Sequence, residues 1–216
     1  KALKKTCELI RLSSPNLIKE NKKDIQSAKN KKLSEAMIDR LTLTQSRINS
    51  VISSLEDIIK LENPNGKILS EWSRPNGLHI QKISVPLGVI GIIYESRPNV
   101  TVDASAIAMK AGNAVILRGG KDSFHTSTKL CQIINEAFTN QGMPEHTVQM
   151  IPITDRSAVE EMLQLNSCID IIIPRGGKDL IKAVKEKSSI PVIKHSDGIC
   201  HIYIDGDANL KKAKEI

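Results

Sequence analysis

Between Val85 and Ser123 the chain carries two near-continuous β-branched apolar runs, Gly88–Ile93 and Ala114–Leu117, on either side of one helical stretch, Thr101–Lys110. Strands that are apolar on both faces need cover on both faces. A parallel sheet with crossover helices provides it, so the stretch is expected to form a βαβ unit. Each run ends in a polar turn: Tyr94–Asn99, which contains a proline, and Arg118–Lys121, which contains two glycines. Open sheets of this kind bind ligands at the carboxyl ends of their strands, and the functional site is expected there.

The same alternation continues downstream. The pattern predicts a helix capped by Asp122 or Ser123 and running to about Asn140, a strand over Val148–Ile151, a helix over Ser157–Gln164 and a strand over Ile169–Ile173. A second basic glycine turn, Pro174–Lys178, then opens a helix to about Lys187. Short strands over Pro191–Ile193 and His201–Asp205 and a helix beginning near Asp207 complete the pattern. This βαβαβαβ order specifies an α/β fold with a doubly wound, mostly parallel sheet. Residues 1–61 read as two or three amphipathic helices, broken at Ser13-Ser14-Pro15, with Ser14 as N-cap, and again near Leu33-Ser34. Two turn signals, Asn63-Pro64-Asn65-Gly66 and Arg74-Pro75-Asn76-Gly77, delimit a hairpin of Lys67–Trp72 and Leu78–Ser84. The chain thus divides into residues 1–84, helices and a hairpin packing on the core, and residues 85–216, the α/β domain.

Composition narrows the possible functions. With 216 residues and 40% apolar content the chain can bury a substantial core, but only 2% of it is aromatic. A base-stacking platform for single-stranded nucleic acid is therefore not expected. The net charge of +7 is local: residues 1–32 hold ten Lys/Arg against three acids, leaving 21 of each in the rest. We read this as a solvated basic helical face, because no nucleic-acid motif accompanies it. Cysteines at 7, 131, 168 and 200 are too scattered for a metal site or a disulfide framework, which fits a reducing cytoplasm. No apolar run approaches the roughly 18 to 20 residues of a membrane span, and no signal peptide opens the chain. Neither a membrane nor a metal is expected as a partner.

The chemistry lies in three loops. Arg118-Gly119-Gly120-Lys121 and Arg175-Gly176-Gly177-Lys178 each place glycines and cations between a buried strand and a helix start. Glycine lets the backbone approach a phosphate, and the helix N-terminus offers free N–H groups. Neither loop is GxxxxGK[ST] or GxGxxG. One such loop is equally a tight turn, whereas two in one sheet point to a ligand carrying several phosphates. In the third loop, Glu95-Ser96-Arg97-Pro98-Asn99, the planar fork of Arg97 suits a carboxylate or acyl phosphate; its alternative is an ion pair with Glu95. His195 and His201 flank Asp197 and Cys200, leaving Cys200 either a Cys/His nucleophile or inert packing.

Four segments carry a resemblance: VPLGVIGIIYESRPNVTVDASAIAMKAGNAVILRGGK, IDIIIPRGGKDLIKAVK, PVIKHSDGICHIYID and LSEAMIDRLTLT (33–44). They resemble the γ-glutamyl phosphate reductases, the proline-biosynthetic branch of the aldehyde dehydrogenase superfamily, also found fused as the reductase half of pyrroline-5-carboxylate synthase. The likeness covers almost the whole chain. It implies NADPH-dependent reduction of γ-glutamyl phosphate to glutamate 5-semialdehyde with release of phosphate. It further implies homo-oligomers and association with a glutamate kinase. The resemblance puts the nucleophilic cysteine in a segment after HIYID, which the sequence does not reach before Ile216. Residues 1–216 are therefore expected to be the cofactor-binding part and inactive alone. The alternatives are a non-catalytic nucleotide-binding module or a fragment of the bifunctional synthase.

The resemblance also assigns residues. Ser96 stands where many aldehyde dehydrogenases carry the oxyanion-hole asparagine, leaving a hydroxyl to donate. Arg97, Asn99 and His195 fall on the substrate side, His195 where hydrolytic members keep a water-activating glutamate. Arg118, Gly119, Gly120, Lys121, Arg175, Gly176 and Gly177 fall on the NADP(H) side. Arg118 matches a lysine that contacts the adenosine ribose, and Lys121 stands where NAD-preferring members carry a glutamate.

Overall fold

The structure, a computed structural model, describes residues 1–195 and 201–214. Four helices open the chain: α1 (Ala2–Leu12), α2 (Ser14–Asn30), α3 (Glu35–Leu41) and α4 (Gln45–Lys60). That corrects the expectation of two or three. The additional break falls at Thr42-Leu43-Thr44, where the Thr44 hydroxyl accepts the Arg47 N–H at 3.2 Å and starts α4. Ser14 is not an N-cap. It lies inside the first turn of α2, and its hydroxyl donates back to the Ile10 and Arg11 carbonyls at 3.1 and 2.9 Å, so α1 runs almost directly into α2.

The hairpin of β1 (Ile68–Ser73) and β2 (His79–Ile83) is antiparallel, and every residue of it but Ile80 is exposed. The α/β part follows: β3 (Val89–Tyr94), α5 (Asn99–Lys110), β4 (Ala114–Arg118), a 3₁₀ turn at Lys121–Ser123, α6 (Phe124–Thr139), β5 (Val148–Met150), α7 (Ser157–Met162), β6 (Ile171–Arg175), α8 (Lys178–Lys187) and α9 (Leu210–Ala213). The four strands pair in parallel in the order β5-β4-β3-β6. From β3 the chain winds outward through β4 and β5, then returns to lay β6 on the other side of β3. The winding direction reverses between β3 and β6, and a crevice opens at the carboxyl ends of two strands placed this way.

Helices cover both faces, and β3 shows how. Ile90, Ile92 and Tyr94 join Val115 and Leu117 in a core shared with α1, α4, α5 and α6. Ile93, on the opposite face, packs with Met162, Ile172, Val184 and Ile190 beneath α7 and α8. The N-terminal helices thus form a further layer over α5 and α6.

Two further expectations are corrected. Pro191–Ile193 contributes a single parallel bridge, Val192 to Ile172, and His201–Asp205 forms no strand. Ile202, Tyr203 and Ile204 are exposed, Tyr203 by 85%, and no described strand lies beside them to complete a ladder. Ser123 holds the N-cap position of α6 as expected, but its side chain makes no capping hydrogen bond. That part is taken by Asp24 of α2, only 2% exposed: its Oδ1 accepts the His125 N–H at 3.1 Å, and its Oδ2 accepts the Thr126 N–H at 2.8 Å and the Thr126 hydroxyl at 2.6 Å. Asp122 instead pairs with Lys31 at 2.9 Å. Among the described residues no helix is long and apolar enough to cross a membrane.

Candidate functional site: three loops at the switch point

The three loops singled out from sequence meet around Glu95 and Ser96. A Cβ built on Gly120 would lie 3.1 Å from the Ser96 backbone nitrogen, and one on Gly119 would lie 2.9 Å from the Tyr94 hydroxyl. Glycine at both positions lets the turn after β4 rest directly on the turn after β3. On the other side, the Glu95 N–H donates to the Arg175 carbonyl at 3.2 Å, and Glu95 Oε2 accepts the Gly177 N–H at 3.0 Å. A Cβ on Gly176 would lie 2.7 Å from that carboxylate. Glu95 therefore holds the first turn of α8, and no Arg97–Glu95 ion pair is found among the described residues.

Ser96 sits at the apex of a tight reversal. Its φ is +31°, and the Arg97 N–H closes back on the Glu95 carbonyl at 2.6 Å. A non-glycine residue with φ in this range stores backbone strain, of order 1 to 3 kcal/mol, which the surrounding loops must hold. The reversal sets the Ser96 backbone against the turn after β4 and leaves Arg97 lining a cavity with Arg40, Arg47 and Asp103.

Arg118 has a different role from that of its neighbour Lys121. It is only 9% exposed; Nη1 donates to the Gly119 carbonyl at 2.9 Å, and Nη2 donates to the Thr154 and Asp155 carbonyls at 3.0 and 3.2 Å. Its Nε is buried with no partner. Burial, reinforced by nearby Arg156, pulls its pKa below the usual arginine range. Arg118 thus fastens the β4 turn to the β5–α7 loop, while Lys121, in the 3₁₀ turn, is exposed.

Asn99 opens α5, and its amide donates to Asp103 Oδ2 at 3.0 Å. Burial raises the Asp103 pKa, with the Asn99 hydrogen bond acting in the opposite direction. Beside them lies a cavity of about 340 Å³ between α3, α4 and the start of α5, lined among others by Arg40, Arg47, Arg97 and Asp103. Of these, sequence reasoning named only Arg97. The Asn99-to-Asp103 spacing of four on one helix face was the available signal for Asp103; nothing local marked Arg40 or Arg47. His195 is exposed, three residues beyond the Val192 bridge, and shows no contact with the loop cluster among the described residues. Asp197 and Cys200 lie outside the described residues.

A four-stranded parallel sheet covered by helices on both faces, with two glycine turns gathered at its switch point, has the architecture of a doubly wound α/β domain. The aldehyde dehydrogenase family matches residues 10–216, and the chain belongs to that family. More particularly, it is 50% identical over 216 residues to the gamma-glutamyl phosphate reductase of Paramagnetospirillum magneticum, covering all of this chain and 51% of that protein. The crystal structure of gamma-glutamyl phosphate reductase from Thermotoga maritima superposes with a TM-score of 0.90 at 40% identity, covering 99% of this chain and 51% of the other. That from Saccharomyces cerevisiae gives 0.83 at 33% identity, covering 100% and 55%. The chain spans about half the length of the curated relatives it matches.

Proposed function

We propose that this chain supplies the dinucleotide-binding part of an enzyme that reduces γ-glutamyl phosphate to glutamate 5-semialdehyde in proline biosynthesis, using NADPH. The observation that carries the proposal is the Glu95–Gly177 contact. An N–H at the start of α8 already holds an anionic oxygen, and a dinucleotide phosphate would occupy the same kind of position once Glu95 moves aside. The donor set therefore fits the cofactor. Gly119, Gly120, Gly176 and Gly177 would allow close backbone approach, with Arg175 at the rim. Lys121, exposed at the turn that Arg118 fixes, would take the 2′-phosphate. When bound, the cofactor supplies hydride to the substrate carbonyl carbon. On the other side, Arg97 and Asn99 would bind substrate, Ser96 would donate to the developing oxyanion, and His195 would join them.

The proposal includes a cytoplasmic location, a homo-oligomer and contact with a glutamate kinase. Self-association is supported by the hairpin, which leaves Ile68, Leu69, Trp72 and Ile83 open to solvent although two strands alone are marginally stable.

Calorimetry of NADPH and NADH on wild type and Lys121→Glu tests the cofactor assignment. A dianionic phosphate beside a lysine gains charge-assisted hydrogen bonds that a glutamate would replace with repulsion. Lys121→Glu should weaken NADPH about tenfold, on the order of 1.4 kcal/mol, and leave NADH unchanged or improved. Equal binding of both cofactors by wild type, or indifference of both to the substitution, would overturn it.

A further inference from the structure

The turn that carries Lys121 is gripped from outside the α/β domain. Lys121 opens the 3₁₀ turn Lys121–Ser123 and is exposed, but the acid next to it is not: the Asp122 side chain, 14% exposed, pairs at 2.9 Å with Lys31, the residue that closes α2. A few residues further on, the first turn of α6 is fastened to the same helix through Asp24. Asn21, one turn before Asp24, is 1% exposed, and both ends of its amide are engaged. Its Oδ1 accepts the Leu43 N–H at 2.7 Å, and its Nδ2 donates to the Leu41 carbonyl at 2.8 Å and to Thr126 Oγ1 at 3.1 Å. Arg47 holds the same α3–α4 turn from its far side, donating to the Thr42 carbonyl at 2.9 Å and to Asp39 Oδ1 at 2.8 Å. A satisfied buried network of this kind is rigid, so α2 is a fixed anchor for whatever it grips.

The grip decides how the turn can read a ligand. The His125 and Thr126 N–H groups, which at an open helix start would be free for a phosphate, are already taken by Asp24. Recognition of an anion at this turn therefore falls chiefly to side chains, of which Lys121 is the exposed cation. An ammonium on a flexible four-carbon stem selects between ligands only as well as its backbone is placed. The sheet alone does not place it. β4 ends at Arg118, and two glycines, the residues with the most backbone freedom, stand between that strand and Lys121. The contact nearest to Lys121 that can fix the turn is the Lys31–Asp122 pair.

Resting on the reading of Lys121 as the contact for the 2′-phosphate, we propose that Lys31 is a positioning residue for cofactor discrimination. Through Asp122 it holds the 3₁₀ turn so that the Lys121 ammonium meets the 2′-phosphate, and it does so without touching the cofactor. The N-terminal helices thereby take part in selecting the cofactor, a role that neither glycine turn reveals by itself.

The test is calorimetric titration of NADPH and NADH on wild type, Lys31→Met, Asp122→Ala and the double variant. Each single substitution should lower the ratio of NADPH to NADH affinity about threefold, and the double variant should fall no further, because all three remove one contact. Loss of stability alone would weaken both cofactors alike, so the ratio isolates positioning. Asp122→Ala is the decisive arm: it removes a negative charge close to the phosphate, and a purely electrostatic role for the pair would raise the ratio. Lys31→Arg, which keeps the pair, should retain the wild-type ratio. Opposite shifts by Lys31→Met and Asp122→Ala, or a ratio unchanged in both, would overturn the proposal. Lys121→Glu in the same titrations separates this role from the reading it rests on. If Lys121→Glu abolishes the preference for NADPH while the Lys31 and Asp122 variants keep it, only the positioning role is lost; if wild type shows no preference, both are lost.

Discussion

Glu95 Oε2 accepts the backbone N–H of Gly177 at 3.0 Å, so an acidic side chain from the end of β3 occupies the first turn of α8 across the switch point. A carboxylate in that place satisfies an N–H group that otherwise has no intrahelical partner, and it competes with any other anion for the same position.

Glu95→Gln should therefore raise affinity for inorganic pyrophosphate and for NADPH, by roughly fivefold, because the amide keeps an acceptor oxygen but loses the competing charge. Isothermal titration of both anions at low ionic strength checks this. A fall in affinity would mean that the carboxylate contacts the ligand directly.

Gly176→Ala should act on the same contact. The new Cβ would lie 2.7 Å from the Glu95 carboxylate and from Leu180 Cδ2, closer than real contacts allow, so both side chains must shift and the Glu95–Gly177 contact is disturbed. The substitution is expected to cost about 1 kcal/mol of stability in the wild type and markedly less in a Glu95→Ala background. A denaturant double-mutant cycle reads this difference directly; additive costs would show that Gly176 is constrained by something other than Glu95.

Arg118→Ala should destabilise the chain by about 2 to 3 kcal/mol in urea unfolding, since the Gly119, Thr154 and Asp155 carbonyls lose their donor together. Arg118→Lys should recover only part, because a single ammonium cannot reproduce the fork. Loss of NADPH affinity at unchanged stability would instead make Arg118 a ligand contact.

Asp24 governs a pH dependence. Burial raises its pKa above the ordinary carboxylate value, although three hydrogen bonds from His125 and Thr126 pull the other way. In the window between the unfolded and the raised folded pKa the native state binds more protons than the unfolded one. The Asp24 contribution to stability therefore falls as pH rises through that window and is constant above it. Unfolding free energies measured from pH 3 to pH 7 should show the advantage of wild type over Asp24→Asn shrinking as pH rises. Asp24→Ala should cost about 2 kcal/mol at pH 7, for the lost cap, and more toward pH 3.

The sequence by itself determined the β3–α5–β4 unit, the α/β order around it and the position of both glycine turns. Continuous β-branched runs and helical periodicity are local properties, set by neighbours two to four residues apart. It also singled out Ser96, Arg97 and the glycines, because residues at a strand end with special backbone needs are visible one at a time. Tertiary structure alone decided which groups those residues meet. Asp24 caps a helix 102 residues away, and Glu95 holds a turn 82 residues away. Arg118 and Lys121, three positions apart, part into a buried scaffold and an exposed cation. His201–Asp205 has a strand's composition but no described strand beside it. Hydrogen-bond partners and desolvation depend on which elements the crossovers bring side by side, and that order, β5-β4-β3-β6, is a property of the whole chain rather than of any segment.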